Sequence, residues 1–420
     1  MKIIVLVDSI WGGHHPTYFN IFAKTLLELG YEVIALSPEP EEVSQWVASH
    51  CPEFLDRFHS FDLPEPAISQ IPYPQSHRWR KLYNTLLGLA RWKILTKRIR
   101  EIASKLDKTP DLVFFADLRS HGSQLGHLIF NRNIFLLNRE TIFPIAWSGL
   151  NFCPAIRVPP KFSITRLAIT RFDWLKRFQM FLSPYCKAMA ILDEGVTSQL
   201  QAQLLGKPVI VFPDFTDESP PDLDYEISKK VYVKAAGRKI VGLLGMIDPG
   251  KGALILLEMS RQAPDHWFFV FAGSLAEKGF TDEELARFQL FIKEQPDNCF
   301  FHLTRIPDES QYNALVKVCD VVLNVRRNFP YSSNTLTKAA LFQKPVIASK
   351  NYCIGERVEK FDLGYTVEEG NTTQCLEALE RLYEQLATGY QEIQPDFDGY
   401  SRLHSIEQLK VAFQTLLEYV

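Results

Sequence analysis

No stretch of this 420-residue chain reaches the ~18 consecutive apolar residues that would span a bilayer. The apolar run at its start, residues 2–9, contains Asp8 and reads as a strand rather than a secretory segment. The chain is therefore expected in the cytoplasm. Cysteine is sparse: seven residues, an odd number, spread from Cys51 to Cys375 with no CxxC pair. That spacing argues against a disulfide framework and a structural zinc, and leaves buried thiols as the expectation. An excess of one charge is also lacking, since 46 Lys+Arg stand against 49 Asp+Glu. There is no tandem repeat and no low-complexity tract. With 46% apolar and 23% charged residues, disorder, collagen and coiled coil are excluded, and two or three soluble globular domains remain.

The near-neutral total hides an asymmetry. Residues 1–210 hold 24 Lys+Arg and 18 Asp+Glu, and the remainder holds 22 and 31, so the halves are +6 and −9. Two domains with different neighbours are implied, the basic one suited to an anionic surface or substrate.

Residues 2–9 form an apolar run, a glycine turn follows, and Tyr18, Phe22, Leu26 and Leu29 then recur at helical spacing up to Gly30. The strand YEVIALSP completes a βαβ unit, which opens a parallel sheet. Further strands are predicted at 111–117, 133–138, 188–193 and 207–213; all are nearly continuous apolar runs, as strands covered on both faces should be. The Pro-, Asp- and Ser-rich segment around 212–230 separates the two charge regimes. A second alternation follows, with strands predicted at 239–245, 267–273, 298–303, 320–325 and 344–349. We expect an N-terminal Rossmann-like domain over 1–215, a linker over 216–237, a second Rossmann-like domain over 238–402, and a last helix over 403–420. In that helix Leu403, Ile406, Leu409, Phe413, Leu416 and Leu417 form a stripe that must pack on something.

Two such domains would place ligands in a cleft at the carboxyl ends of their strands. The loop GLLGMIDPGKG (242–252) joins a strand to a helix. Gly245, Gly250 and Gly252 let backbone approach an anion, the helix start offers N–H groups, and Lys251 adds a positive charge. Gly252 stands where a Walker A loop needs Ser or Thr. A second loop carries Arg326, Arg327, Ser332, Ser333, Asn334 and Thr335 before a helix containing Lys338. A helix cap needs one hydroxyl, so this set exceeds capping and points to an anionic ligand.

The KG pair at 251–252, the PVIAS strand at 345–349 and the ILDEGVTSQL…VIVFPDF run at 191–215 carry a resemblance over essentially the whole chain. It is to GT-B glycosyltransferases: α/β proteins of two Rossmann-like domains with parallel sheets facing across a cleft. The chain is most similar to the retaining family 4 (glycosyl transferases group 1). The resemblance implies a hexosyltransferase that moves a hexose from a nucleoside-diphosphate sugar to a glycan, glycolipid or small-molecule acceptor, with no cofactor and no metal. It also implies that the last helix returns to the N-terminal domain, and that Lys251 stabilises the leaving diphosphate, which takes the acceptor proton. The chain departs from the family at three places: Met246 replaces the loop arginine, and Pro330 and Lys338 replace the two motif glutamates. A non-catalytic GT-B-like binding or assembly protein, and a nucleotide-sugar epimerase or phosphorylase, are the competing readings.

On the acceptor side, Gly12, Gly13, His14 and His15 open the first helix, resembling the family's acceptor loop. Asp117 and His121 follow a strand end; the resemblance gives His121 contact with the donor sugar, and an inverting reaction would draw its base from Asp117, His121 or His14. Residues 78–105 hold nine basic residues and one acid, with Leu82, Leu86, Ala90, Leu95, Ile99, Ile102 and Leu106 at helical spacing. A second basic, aromatic region runs over 157–187. Both suit peripheral contact with anionic lipid at the inner face of a membrane, where a glycan or lipid-linked acceptor could be met. Nucleic acid is not expected, because no recognised binding module accompanies the charge.

Overall fold

The computed structural model describes residues 1–13, 15–118, 143–152 and 179–420. The chain divides into two compact units: Met1–Pro213 together with Ile406–Val420, and Asp214–Ser405. Two predicted features, the strand at 133–138 and most of the basic region at 157–187, lie outside the described residues.

In the first unit the described strands are β1 (Ile3–Val7), β2 (Glu32–Ser37), β3 (Phe58–Asp62), β4 (Leu112–Phe115), β5 (Trp147–Asn151), β6 (Cys186–Ile191) and β7 (Val209–Val211). They form one parallel sheet in the order β3-β2-β1-β4-β5-β6-β7. Every residue of β2 and β4 is buried, which is why Val33–Leu36 of β2 and all of β4 read as unbroken apolar runs. The run at 207–213 shrinks to three residues at the sheet edge. Pro208 has no N–H to donate, and Lys207 turns its ammonium onto the carbonyls of Ser183 at 2.8 Å and Cys186 at 2.5 Å.

The basic region at 78–105 lies in one helix of 30 residues, His77–Leu106. Its apolar residues do not form the single stripe expected: Trp92, Leu95, Ile99 and Ile102 enter the core, whereas Leu82 and Leu86 are exposed. The last helix, Ile406–Leu417, belongs to this unit and buries Leu409, Phe413, Leu416 and Leu417. The Phe413 ring meets Phe22, Phe114 and Phe212 edge to face at 5.4, 5.1 and 5.0 Å. Lys2 donates to the carbonyls of Leu417 and Val420 at 3.0 and 3.1 Å, a cation at a helix C-terminus. Leu403, expected to open this helix, instead ends the short helix Phe397–Leu403 and is exposed.

The second unit contains β8 (Lys239–Leu244), β9 (Trp267–Ala272), β10 (Cys299–His302), β11 (Val321–Asn324), β12 (Val346–Ser349) and β13 (Gly364–Val367), all parallel, in the order β10-β9-β8-β11-β12-β13. Much of the segment expected as a linker is part of this unit: 226–235 forms the helix Glu226–Ala235, and its Val231 and Ala235 enter the core. The six described cysteines are all buried, and burial pushes the Cys186, Cys319 and Cys375 thiols up to about 12, so these three are inert at neutral pH.

Both sheets share the doubly wound order in which the chain reverses direction beside the first strand. Ligands of such sheets sit beyond the carboxyl ends of the two strands at that reversal. Those strands are β1 and β4 in the first unit and β8 and β11 in the second.

Candidate functional site

In the second unit the turn after β8 begins with Gly245, whose φ of +95° suits glycine. Gly273 at the end of β9 presses on it so closely that a Cβ there would lie 1.6 Å from the Gly245 carbonyl oxygen. Three residues after Gly245, Asp248 caps the turn Pro249–Lys251 by accepting from the Lys251 N–H at 2.9 Å, and the Ala253 N–H reaches the Asp248 carbonyl at 3.2 Å. Gly252 then takes φ +90°, where a Cβ would stand 2.9 Å from the Val325 carbonyl, so the loop packs directly on the end of β11. This corrects one expectation: the amides of Lys251, Gly252 and Ala253 are bonded within the loop, and side chains carry the positive charge of the site.

Two cations define it. Lys251 is half-buried, and burial first, then the neighbouring Arg326 charge, pulls its ammonium down to about 8 against the opposing pull of Asp248. Arg326, 8% exposed, leaves the end of β11. Its guanidinium donates to Asn324 Oδ1 at 3.0 Å, Ser333 Oγ at 2.9 Å and Thr335 Oγ1 at 3.4 Å, and lies 5.0 Å from the Phe329 ring centre. All these partners are neutral. Burial pulls Arg326 down to about 10, which still leaves it charged at neutral pH. Neither cation is paired with a carboxylate among the described residues. The buried Asn324 amide adds a third donor, Nδ2, with no acceptor among the described residues. Exposed Arg327 has its guanidinium 3.9 Å from Glu284, and its N–H donates to Gly250 O at 3.0 Å, which ties the two loops together. A hollow of about 350 Å³ beside them is lined by Pro249, Gly252, Val325, Arg326, Arg327 and Glu369.

The rest of the serine-rich loop is committed to the protein. Ser332 donates to Asp214 and accepts from Arg357 at 2.5 Å. Asn334 donates to the Phe215 carbonyl at 2.7 Å and accepts from Thr216 at 3.3 Å. The Lys338 ammonium contacts Asn313 Oδ1 at 2.5 Å, Glu309 at 2.8 Å and the Asp217 carbonyl at 2.9 Å; with three donors and three protein acceptors it has none left for a ligand. Ser333 and Thr335 act through Arg326.

In the first unit, Asp8 at the end of β1 and Asp117 after β4 are both buried and hold His15 between them. Asp8 Oδ2 is 2.9 Å from Nδ1, and Asp117 Oδ2 is 3.6 Å from Nε2. Burial raises the Asp8 carboxyl, with the His15 contact opposing it. Gly12 and Gly13 lie exposed on the loop before the helix, Gly13 at φ +62°. His14 and His121 lie outside the described residues.

Several residues here escaped the sequence reading. Asp8 and Asn324 each left a signal, a polar side chain closing an otherwise apolar strand. Tyr312 left none. Its hydroxyl, raised by burial, lies 3.5 Å from where a Gly245 Cβ would stand, and the phenol neighbours Arg326.

Solved structures similar to the chain over its whole length include HepE of Anabaena in complex with UDP and glucose, 16% identical with a TM-score of 0.64 and all of both chains covered. WaaG, a glycosyltransferase involved in lipopolysaccharide biosynthesis, is 12% identical with a TM-score of 0.59, covering 99% of this chain and 98% of its own. Sucrose-phosphate synthase from Thermosynechococcus elongatus is 14% identical with a TM-score of 0.63, covering 100% of this chain and 98% of its own. No family model and no curated protein matches the sequence. At these identities the likeness is one of fold: the chain has the GT-B fold of glycosyltransferases.

Proposed function

We propose that this protein is a glycosyltransferase that takes a hexose from a nucleoside-diphosphate sugar, with the diphosphate held between Lys251 and Arg326. The observation that carries the reading is the pair of cations without carboxylate partners at the reversal point of the second sheet, beside an amide donor without an acceptor. A dianion there would supply the missing negative charge and accept from Asn324. Support of a different kind comes from HepE, crystallised with UDP and glucose on the same fold. Ser332, Asn334 and Lys338 are left out of the donor contacts, because protein groups occupy them. The acceptor, a glycan or lipid-linked sugar, is assigned to the end of β1 and β4 around Gly12, Gly13 and His15.

Retention of configuration, with the leaving diphosphate taking the acceptor proton, is the reading the family resemblance favours. The Asp8–His15–Asp117 cluster favours a second, in which a protein base takes that proton and the product inverts. Proton NMR of the sugar released by slow donor hydrolysis separates the two by its first anomer.

Calorimetric titration with UDP, GDP and ADP and their glucose conjugates tests the donor site. One series should bind and raise the melting temperature; silence from all would sink the reading, and binding without any turnover would favour the non-catalytic alternative. The affinity should also depend on pH. Diphosphate binding favours the charged form of Lys251, whose ammonium loses its proton near 8 in the free protein. Affinity should therefore be flat between about pH 7 and 8, where the phosphates are already ionised, and fall by up to about tenfold per pH unit above it. Dissociation constants measured from neutral to alkaline pH check the sign, and Lys251→Ala should abolish the slope.

A further inference from the structure

The helix His77–Leu106 carries two apolar stripes, and among the described residues only one packs into a core. At about 100° per residue, Trp92, Leu95, Ile99 and Ile102 fall within roughly 40° of one direction, and Trp79, Leu82, Tyr83 and Leu86 within roughly 50° of the opposite one. The first set is buried in the core of its unit. In the second, Trp79 is 63% exposed, Leu82 45% and Leu86 44%. The preceding segment extends this surface. Exposed Tyr73 packs edge to face on Tyr83 at 5.5 Å and accepts from Asn84 at 3.2 Å, Arg80 donates to the Pro74 carbonyl at 2.7 Å, and Ile71 is exposed beside them.

The same outer face continues toward the helix C-terminus as a basic one. Lys93, Lys97 and Arg100 project within about 60° of the Trp79 direction and are exposed. Lys97 lies 3.7 Å from Glu101, whereas Lys93 and Arg100 have no ion pair among the described residues. No Asp or Glu occurs between Pro66 and Ala90, while Arg78, Arg80 and Lys81 do. Solvated cations would explain the lysines but not the exposed Trp79, Leu82 and Leu86 on the face opposite the core.

We propose that this outer face, Ile71 to Leu86 with Lys93, Lys97 and Arg100, docks the protein on an anionic lipid bilayer, the helix lying in the plane of the surface. The occupant follows from the chemistry. Aromatic and leucine side chains suit the headgroup boundary, and the cations alongside suit anionic headgroups. The inference stands apart from the donor site, since it needs no nucleotide.

Co-sedimentation of the full chain tests it, using vesicles of equal parts phosphatidylglycerol and phosphatidylcholine and vesicles of phosphatidylcholine alone. The protein should pellet with the first and not the second, and raised salt should release it. Trp79→Ser, Leu82→Ser and Leu86→Ser combined should weaken binding about tenfold or more, and so should Lys93→Gln, Lys97→Gln and Arg100→Gln combined, at about fivefold per basic residue near the surface. All six positions are exposed, so both variants should melt as the parent does, and nucleotide affinity should be unchanged. Failure to pellet with anionic vesicles, or pelleting that the apolar variant leaves unchanged, overturns the proposal. A concentration-dependent dimer in lipid-free buffer that the apolar variant abolishes would do so too, by assigning the face to a second copy.

Discussion

Lys251→Ala should lower turnover of the nucleoside-diphosphate sugar by about two to three orders of magnitude, the scale lost when one preorganised charge-stabilising donor is removed. The same substitution should leave the melting temperature unchanged or raise it. Its ammonium is half-buried, unpaired among the described residues and pulled down to about 8, so the free fold gains nothing from the charge. Such a cost to the fold is what the proposed donor site would require of a charge held for a ligand. Arg326→Ala should behave differently. It removes the other cation together with its bonds to Asn324 Oδ1 and the Ser333 and Thr335 hydroxyls, leaving Asn324 Oδ1 only its bond from Ser333 at 3.1 Å, so stability should fall together with affinity. Single-turnover rates on the preferred donor, with calorimetric melting of each variant, check both statements. Unchanged turnover in Lys251→Ala would remove its catalytic assignment.

The contrast between the loops shows which features a sequence can convey. Strand identity was legible wherever both faces are covered, because β4 and β9 are then apolar at every position and β2 is apolar from Val33 to Leu36. Phe58–Asp62 and Trp147–Asn151 were not anticipated. The first is an edge strand whose His59, Ser60 and Asp62 need no burial, and the second carries Ser148 and Gly149 in mid-strand. Lys251 and Arg326 stood out in the sequence because each is a charge placed after a glycine turn or a strand end, where ligands of such sheets sit. Arg326 is buried beside Lys251, so the second cation of the site comes from β11 although Met246 stands where the family has its loop arginine. Ser332, Asn334 and Lys338 looked the same in one dimension. Their partners, Asp214, Phe215 and Asp217, lie more than a hundred residues earlier, and no local pattern reports a bond of that span. The helix at 77–106 failed for another reason: residues at helical spacing within each half were read as one stripe, while the direction turns over between Leu86 and Trp92.

Arg357→Ala should be among the most destabilising single substitutions in the second unit. The guanidinium is 1% exposed, on the helix Tyr352–Lys360, and lies 3.8 Å from the Asp214 carboxylate, which is 2% exposed; the Ser332 hydroxyl bridges them. Asp214 is fixed in place as well: its N–H donates to His404 Nδ1 at 3.0 Å, and its carbonyl accepts from Thr337 at 2.7 Å. These bonds hold the backbone that carries the carboxylate in its buried position. Breaking such a pair from one side costs about 3–5 kcal/mol, since it strands a buried charge. At about 2–4 °C per kcal/mol for a unit of this size, the melting temperature should drop by roughly 10 °C. Arg357→Lys should recover only part of this, because an ammonium cannot reproduce the planar fork. Arg357→Met combined with Asp214→Asn should recover more, since no charge then remains buried, and the cycle of single and double variants isolates the ion-pair contribution. Additive losses in that cycle would show that packing around the Arg357 stem, rather than its charge, holds the segment. Because Ser332 shares the network, Arg357→Ala should also loosen the loop that carries Arg326, and nucleotide affinity should fall in step with stability.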